Sequence, residues 1–126
     1  MIINIAGTGA FQPAPYMAAR TASAAFVLSF TQAVSAENAD TGVRIFALSP
    51  GPTDTPMTRG QDSPLGAMRT PEQVVATALA TLGKRKASVV DGTLNAFVAR
   101  VGSRLPESMI LALAARVMKR SLLPRT

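Results

Sequence analysis

The sequence predicts an α/β fold, in which a partial, doubly wound parallel sheet of about three strands is flanked by helices. Two short runs, residues 2–5 and 43–48, carry apolar residues on both faces, which is typical of strands covered on both sides in a parallel sheet. Residues 17–39 lie between them, contain no Gly or Pro, and have apolar residues at helical spacing. A strand, a helix and a parallel strand in this order form a right-handed crossover unit.

One long helix is expected at residues 17–39. Apolar residues recur there at helical spacing, namely Ala22, Phe26, Phe30 and Ala33. Gly42 follows, and a glycine just beyond a helical segment is a common stop signal. We therefore expect the helix to end at Gly42 and the second strand to begin directly after it.

The second half of the sequence predicts one capped helix, a short strand and two final helices. The start and stop signals of the capped helix are an N-cap, a proline at the first helical position, the glutamine of a capping box and a final glycine: Thr70, Pro71, Gln73 and Gly83. Residues 87–92 predict the third strand, and residues 95–105 and 107–120 predict helices. With 126 residues, the chain is expected to form one domain.

Two loops are expected at the carboxyl edge of the predicted sheet, where open α/β sheets bind their ligands. One follows the first strand at residues 6–15. The other, residues 49–69, is long and rich in Pro, Gly, Thr and Asp. Loops of this length inside a small domain are more often functional than simple connections. We therefore expect any ligand site at these two loops.

The absence of Cys and His excludes several kinds of metal site and active site. The sequence contains no Cys and no His, so it lacks a disulfide framework and the thiolate and imidazole ligands that metal sites commonly use. We expect no metal site and no hydrolase that depends on a Ser-His pair. Met1 is not followed by a signal-peptide pattern, and no apolar run approaches the roughly 20 residues of a membrane span. A soluble cytoplasmic protein is expected.

The net charge of +6 is concentrated in the last third of the chain. Residues 84–126 hold nine Lys or Arg against two acids, whereas residues 1–83 hold four against five. Three cations suit the helix dipole at the end of the last predicted helix: Arg116, Lys119 and Arg120. A membrane surface is an alternative partner for this basic, apolar helix. We expect no nucleic-acid binding, because the segment has no recognisable motif and Phe97 is its one aromatic residue.

Four segments carry a resemblance to a known family: IINIAGTGAFQPAPYMA, SAAFVLSFTQAVSAE, GVRIFALSPGPTDTPM and TPEQVVATAL. In this order they resemble the C-terminal half of a short-chain dehydrogenase/reductase, an NAD(P)-dependent oxidoreductase with a Rossmann fold. The resemblance covers about the whole chain and implies carbonyl reduction or alcohol oxidation with NAD or NADP. It implies a strand-helix-strand unit with a Pro-Gly cofactor-side loop at 1–60, a substrate-loop region and helix at 61–83, and the last strand with a basic helical tail at 84–126.

The most specific part of the resemblance is PGPTDT, which follows the second predicted strand. In the family, a Pro-Gly turn and the Thr after it hold the nicotinamide end of the cofactor. The resemblance therefore implies cofactor contacts from Pro50, Gly51, Thr53 and Thr55. A Pro-Gly turn that leads into a solvated loop is the alternative interpretation of the same residues.

The catalytic residues of the family are missing at the matching positions. Family members use a Ser that orients the substrate oxygen, a Tyr that transfers the proton, and a Lys that lowers the Tyr pKa and holds the ribose. In this sequence those positions carry Gly7, Arg20 and Ala24. Arginine stays protonated at physiological pH, so Arg20 cannot replace a phenol as the acid. We expect no catalytic residue and an inactive chain.

Two residues are candidate substitutes for the missing groups. Tyr16 precedes Arg20 by four residues, the spacing of two side chains on one helix face. It would lie one turn, about 5.4 Å, from the family's position, although a proton donor must come within roughly 3.2 Å. The alternative is a Tyr16 that packs against the substrate loop and uses its hydroxyl in a hydrogen bond. Thr8 is the other candidate, in place of the missing Ser.

The sequence lacks a Gly-rich cofactor turn and a strand to pair with one edge of its sheet, and both features bear on the partners that we expect. It has no Gly-rich turn of the kind that opens a helix and holds a dinucleotide pyrophosphate, so we do not expect this chain alone to bind NAD or NADP. A sheet that starts with residues 2–5 leaves one strand edge unpaired. The sequence fits either a truncated reading frame of a reductase or a non-catalytic relic, a pseudoenzyme fragment. In both cases we expect self-association or pairing with an intact reductase subunit.

Overall fold

A computed structural model describes residues 1–59, 63 and 68–122, the last two of these without their side chains. Helices and strands alternate as the sequence predicts. In chain order they are β1 (Ile2–Ile5), a short 3-10 helix (Thr8–Phe11), α1 (Ala18–Glu37), β2 (Ile45–Ser49), α2 (Pro71–Thr81), β3 (Ser88–Val90), α3 (Thr93–Gly102) and α4 (Glu107–Leu122). Residues 61, 62 and 64–67 of the expected substrate-loop region lie outside the described residues.

The sheet has three parallel strands in the order β1-β2-β3. Ile2 pairs with Ile45 at the start of β1, and Ser49 pairs with Val90 at the end of β3. All five residues of the central strand β2 are buried, which confirms the predicted cover on both of its faces. The α/β prediction with about three parallel strands is therefore confirmed.

Strand β1 is not covered on both faces, although its apolar pattern is typical of such a strand, and the expected unpaired edge is present in the described sheet. Ile2 is 49% exposed and Ile5 is 58% exposed. In the described sheet β1 is an edge strand that pairs only with β2, so one backbone edge and part of its apolar surface face solvent. Asn4 is held from the α1 side, because its amide donates a hydrogen bond of 2.9 Å to Thr31 Oγ1.

Helix α1 lies against β2 through a side other than its apolar stripe. Its buried residues are Leu28 and Thr31, and the Ser35 hydroxyl donates to the Ile45 carbonyl at 2.8 Å. The residues that recur at helical spacing are exposed instead, namely Ala22, Phe26, Phe30 and Ala33. The sequence pattern therefore predicted the helix correctly, and the structure turns this face outward.

The ends of the helices follow local side-chain chemistry. α1 ends at Glu37, five residues before Gly42. The Ala39 backbone N–H donates to the Ala36 carbonyl, only three residues back, and the Asn38 side-chain amide donates to the Val34 carbonyl. Gly42 instead forms the turn into β2 with a φ of 76°. The capping box of α2 is confirmed, since Thr70 Oγ1 accepts from the Gln73 backbone N–H.

The first turn of α2 also carries an acid. The backbone N–H of Glu72 and the Thr70 hydroxyl lower the pKa of Glu72, and a carboxylate at this end of a helix is favoured by the dipole. Thr70 thus caps the first turn of α2 and also lowers the pKa of Glu72. None of the helices in the described part of the chain is both long and apolar enough to span a bilayer.

Candidate functional site

The loops after β1 and β2 meet at the carboxyl edge of the sheet. The Ala6 backbone N–H donates to the Leu48 carbonyl at 2.8 Å, and the Thr8 N–H donates to the Pro50 carbonyl at 3.0 Å. These bonds continue the β1–β2 pairing into the loops, so the Pro-Gly turn is held directly against the segment that follows β1. The structure therefore brings the two predicted loops together.

Gly51 is required by packing inside this edge. A Cβ atom at Gly51 would overlap the side-chain amide of Asn95, which is 8% exposed. Asn95 is itself fixed, because its Nδ2 donates to the Asp91 carbonyl at 2.9 Å. The Pro-Gly turn and the start of α3 are thus in close contact, and a larger residue at this position would push them apart.

A buried ion pair closes the base of the long loop. Asp91, which is fully buried, accepts hydrogen bonds of 2.9 Å from Nε and Nη2 of Arg69 and a further one from the Thr77 hydroxyl. Two backbone bonds, from Arg69 N to the Pro52 carbonyl and from Asp54 N to the Arg69 carbonyl, join the two ends of the loop. Arg69 therefore fastens the end of the loop to β3.

The sequence reasoning missed this ion pair and the buried Ser49. Arg69 and Asp91 are 22 residues apart, and neither belongs to a motif. The one available signal was an acid directly after a short apolar strand, at the expected ligand edge. Ser49 ends β2 fully buried, and its hydroxyl has no hydrogen-bond partner in the described part of the chain. A buried hydroxyl without a partner carries a desolvation cost.

The hydroxyls of the Pro-Gly loop bond within the loop itself. Thr53 Oγ1 donates to the Gly51 carbonyl at 3.0 Å. Thr58 Oγ1 donates to the Thr53 carbonyl at 2.6 Å and lies 3.1 Å from Thr55 Oγ1. The loop is thus a folded turn whose threonines stabilise its own backbone.

An open apolar groove of about 560 Å³ lies beside the loop after β1. Residues 9–15 line the groove together with four residues of α1 and one of α4, namely Ala18, Thr21, Ala22, Ala25 and Leu111. No titratable side chain lines the groove in the described part of the chain. The groove offers apolar contact and no acid or base.

A sequence model described as short chain dehydrogenase matches residues 1–65, slightly more than half of the chain. The chain belongs to the short chain dehydrogenase family. It is similar to 3β-hydroxysteroid dehydrogenase 1 of Eggerthella lenta, with 33% identity over 105 residues that cover 74% of this chain and 40% of the relative.

Two solved structures of short chain dehydrogenase type are similar to the fold. One is a 7β-hydroxysteroid dehydrogenase, with a TM-score of 0.76, 28% identity, and coverage of 89% of this chain and 46% of that one. The other is a short chain dehydrogenase from Burkholderia cenocepacia in complex with NADP, with a TM-score of 0.71, 28% identity, and coverage of 97% and 47%. The chain spans less than half the length of these proteins.

The positions that match the catalytic Ser, Tyr and Lys of short chain dehydrogenases carry residues that cannot orient a carbonyl oxygen or give it a proton. Gly7 precedes the 3-10 helix with a φ of 147° and has only backbone groups. Arg20 is exposed on the first turn of α1, and Ala24 is partly buried one turn later. The described residues thus place no hydroxyl, phenol or amine at these three positions.

Tyr16 is not positioned as a substitute for the family tyrosine. Helix α1 begins at Ala18, so Tyr16 and Arg20 do not share a helix face. Tyr16 has a φ of 69° and is 69% exposed. The Tyr16 hydroxyl makes no hydrogen bond within the described residues, and packing of Tyr16 against the substrate loop stays a prediction, because most of that loop lies outside them. Thr8 lies in the 3-10 helix, where its backbone N–H is bonded to the Pro50 carbonyl.

The described residues do not fit a complete NAD or NADP site of the short chain dehydrogenase type. The Thr53 and Thr55 hydroxyls are engaged within the loop, and Ala24 occupies the position of the lysine that holds the ribose. Asn95 fills the space next to Gly51. No step of a redox reaction follows from these residues.

Proposed function

We propose that this chain corresponds to the second half of a short chain dehydrogenase and does not reduce carbonyls by itself. The observation that carries the proposal is the absence of a proton donor at the family's site, where Gly7, Arg20 and Ala24 stand. Without a hydroxyl, a phenol or a lysine, a bound carbonyl oxygen would receive neither orientation nor a proton. On this proposal the chain is a pseudoenzyme form of a cytoplasmic oxidoreductase of this family.

The proposal assigns the Pro-Gly loop to the nicotinamide side of the cofactor. Pro50, Gly51, Thr53 and Thr55 match the family's loop, and the related Burkholderia enzyme was solved with NADP. The pyrophosphate of a dinucleotide needs a Gly-rich turn before a helix, and this sequence contains none of that kind. The Pro-Gly loop alone would therefore contact the nicotinamide end of the cofactor and leave the pyrophosphate without its usual binding turn.

A cofactor titration tests this assignment. We expect that millimolar NADH or NADPH leaves the melting temperature of the full chain unchanged, because a ligand stabilises the fold only when its concentration exceeds its dissociation constant. Thr53→Ala is the matched variant, since it removes a loop hydroxyl and should melt with the same cofactor response as the wild type. A rise in the melting temperature of the wild type would contradict the expectation that this chain alone does not bind the cofactor, and a rise that Thr53→Ala keeps in full would contradict the assignment of the Pro-Gly loop.

A second candidate function is a non-catalytic interaction module. The observation that favours it is the exposed stripe of α1, where the Phe26 and Phe30 rings stack 5.9 Å apart while being 69% and 52% exposed. Large exposed apolar patches commonly mark protein interaction sites. A second copy of this chain, or an intact reductase subunit, is the proposed partner.

A further inference from the structure

Helices α3 and α4 expose apolar side chains that nothing in the described structure covers. On α3 these are Leu94, Phe97 and Val101, which are 53%, 65% and 40% exposed. On α4 they are Met109 and Leu113, which are 56% and 53% exposed. Each set follows the helical repeat, so it forms one face of its helix. We call these two faces, with the cations beside them, the α3–α4 surface.

The opposite sides of both helices are packed on the same part of the fold. Gly102 of α3 lies against the Gln12 side chain and close to Ile110 of α4. Leu111 of α4 lines the groove formed by residues 9–15. The buried side of each helix therefore lies against the loop after β1 or against the other helix, so the exposed apolar residues lie on a different side of each helix.

The cations of the α3–α4 surface are exposed and almost unopposed. They lie toward the C-terminal ends of the two helices, at Arg100, Arg104, Arg116, Lys119 and Arg120. Glu107 is the one acid between residues 92 and 122. A positive surface with apolar side chains among its cations matches the outer layer of an anionic bilayer, where phosphates lie directly above acyl chains.

We propose that the α3–α4 surface binds an anionic lipid bilayer peripherally. Phe97 and Leu113 enter the headgroup layer, while the cations contact lipid phosphates. A nucleic acid would satisfy the cations and leave the apolar faces in water, and it would find a single aromatic ring for stacking. An acidic protein could also meet the charge, so the experiment distinguishes it from lipid.

Vesicle binding by the full chain tests the proposal. We expect cosedimentation with vesicles of mixed phosphatidylcholine and phosphatidylglycerol, none with phosphatidylcholine alone, and release by salt. The triple variant Arg116→Glu, Lys119→Glu, Arg120→Glu should lower the binding constant at least about a hundredfold, given about fivefold per cation. Phe97→Ser should lower it about tenfold without changing the charge. All four side chains are exposed, and far-UV circular dichroism checks that the variants fold.

The matched control is the triple variant Lys84→Glu, Arg85→Glu, Lys86→Glu. It reverses three exposed cations before β3 and gives the same net charge as the α4 variant, but it leaves the α3–α4 surface intact. We expect it to bind vesicles as the wild type does. Equal loss in both triple variants, equal binding to neutral vesicles, or binding to polyglutamate with no binding to either vesicle would overturn the proposal.

Discussion

Arg69→Met should lower the free energy of unfolding by about 3 kcal/mol. The substitution leaves the fully buried Asp91 carboxylate with the Thr77 hydroxyl and without its guanidinium partner. Removing one member of a buried ion pair typically costs about 3 to 5 kcal/mol, and the 32% exposure of the Arg69 side chain favours the lower end of that range. Since small domains are stable by only about 5 to 15 kcal/mol, the effect should be plain in urea denaturation.

Two variants separate the ion pair from a general effect of charge. Arg59→Met removes an exposed cation from the same loop and should change the free energy of unfolding by less than about 0.5 kcal/mol. The double variant Arg69→Met, Asp91→Asn removes the buried charge and should recover part of the loss. If Arg69→Met and Arg59→Met denature at the same urea concentration, the ion pair does not hold the loop.

Phe26→Asp combined with Phe30→Asp should convert an associating chain into a monomer. The two rings lie at the centre of the exposed stripe of α1. Burial of a Phe side chain contributes about 1.5 to 3 kcal/mol, so we expect the dissociation constant to rise at least about a hundredfold. Sedimentation velocity at micromolar concentration measures the change. The double variant Val75→Asp, Leu79→Asp, which places the same two charges at exposed apolar positions of α2, is the matched control and should leave association unchanged.

The charges at the two ends of α1 suggest how two copies would pair. Arg20 and Glu37 are its only charged residues, and both are exposed. They lie 17 positions, or about 25 Å, apart along the helix, with the Phe26–Phe30 pair near the midpoint. A two-fold axis near that midpoint would place Arg20 of each copy beside Glu37 of the other. Arg20→Glu should therefore weaken association, and adding Glu37→Arg should restore it. A wild type that sediments as a monomer contradicts self-association.

The sequence predicted best those features that depend on neighbouring residues. Thr70 and Gln73 are three positions apart, so the capping box and the start of α2 could be predicted from them alone. The apolar pattern of β1 by itself does not predict that Ile2 and Ile5 are exposed, because an apolar strand has the same pattern whether or not another element covers it. The exposure of Phe26 and its neighbours on α1 was not predictable for the same reason, because an apolar stripe does not show whether another element covers it.

The position of the Pro-Gly loop in the fold was predictable from the sequence, and the bonds within the loop and at its base were not. The Pro-Gly loop lies where the strand order and the family resemblance place it, at the carboxyl edge after β2. The Arg69–Asp91 pair joins residues that are distant in the chain and belong to no motif. The left-handed φ of Tyr16, which removes it from the α1 face, also had no signal, since such a conformation is uncommon for a bulky residue.

An assay of carbonyl reduction by the purified full chain tests whether this chain lacks catalytic chemistry. With NADH or NADPH and a panel of ketones and aldehydes, cofactor oxidation should not exceed the rate without protein, for the wild type and for Tyr16→Phe alike. That result follows from Gly7, Arg20 and Ala24 at the three catalytic positions. Cofactor oxidation above the background in the wild type that disappears in Tyr16→Phe would show that Tyr16 supplies the proton, and it would contradict the claim that this chain lacks catalytic chemistry.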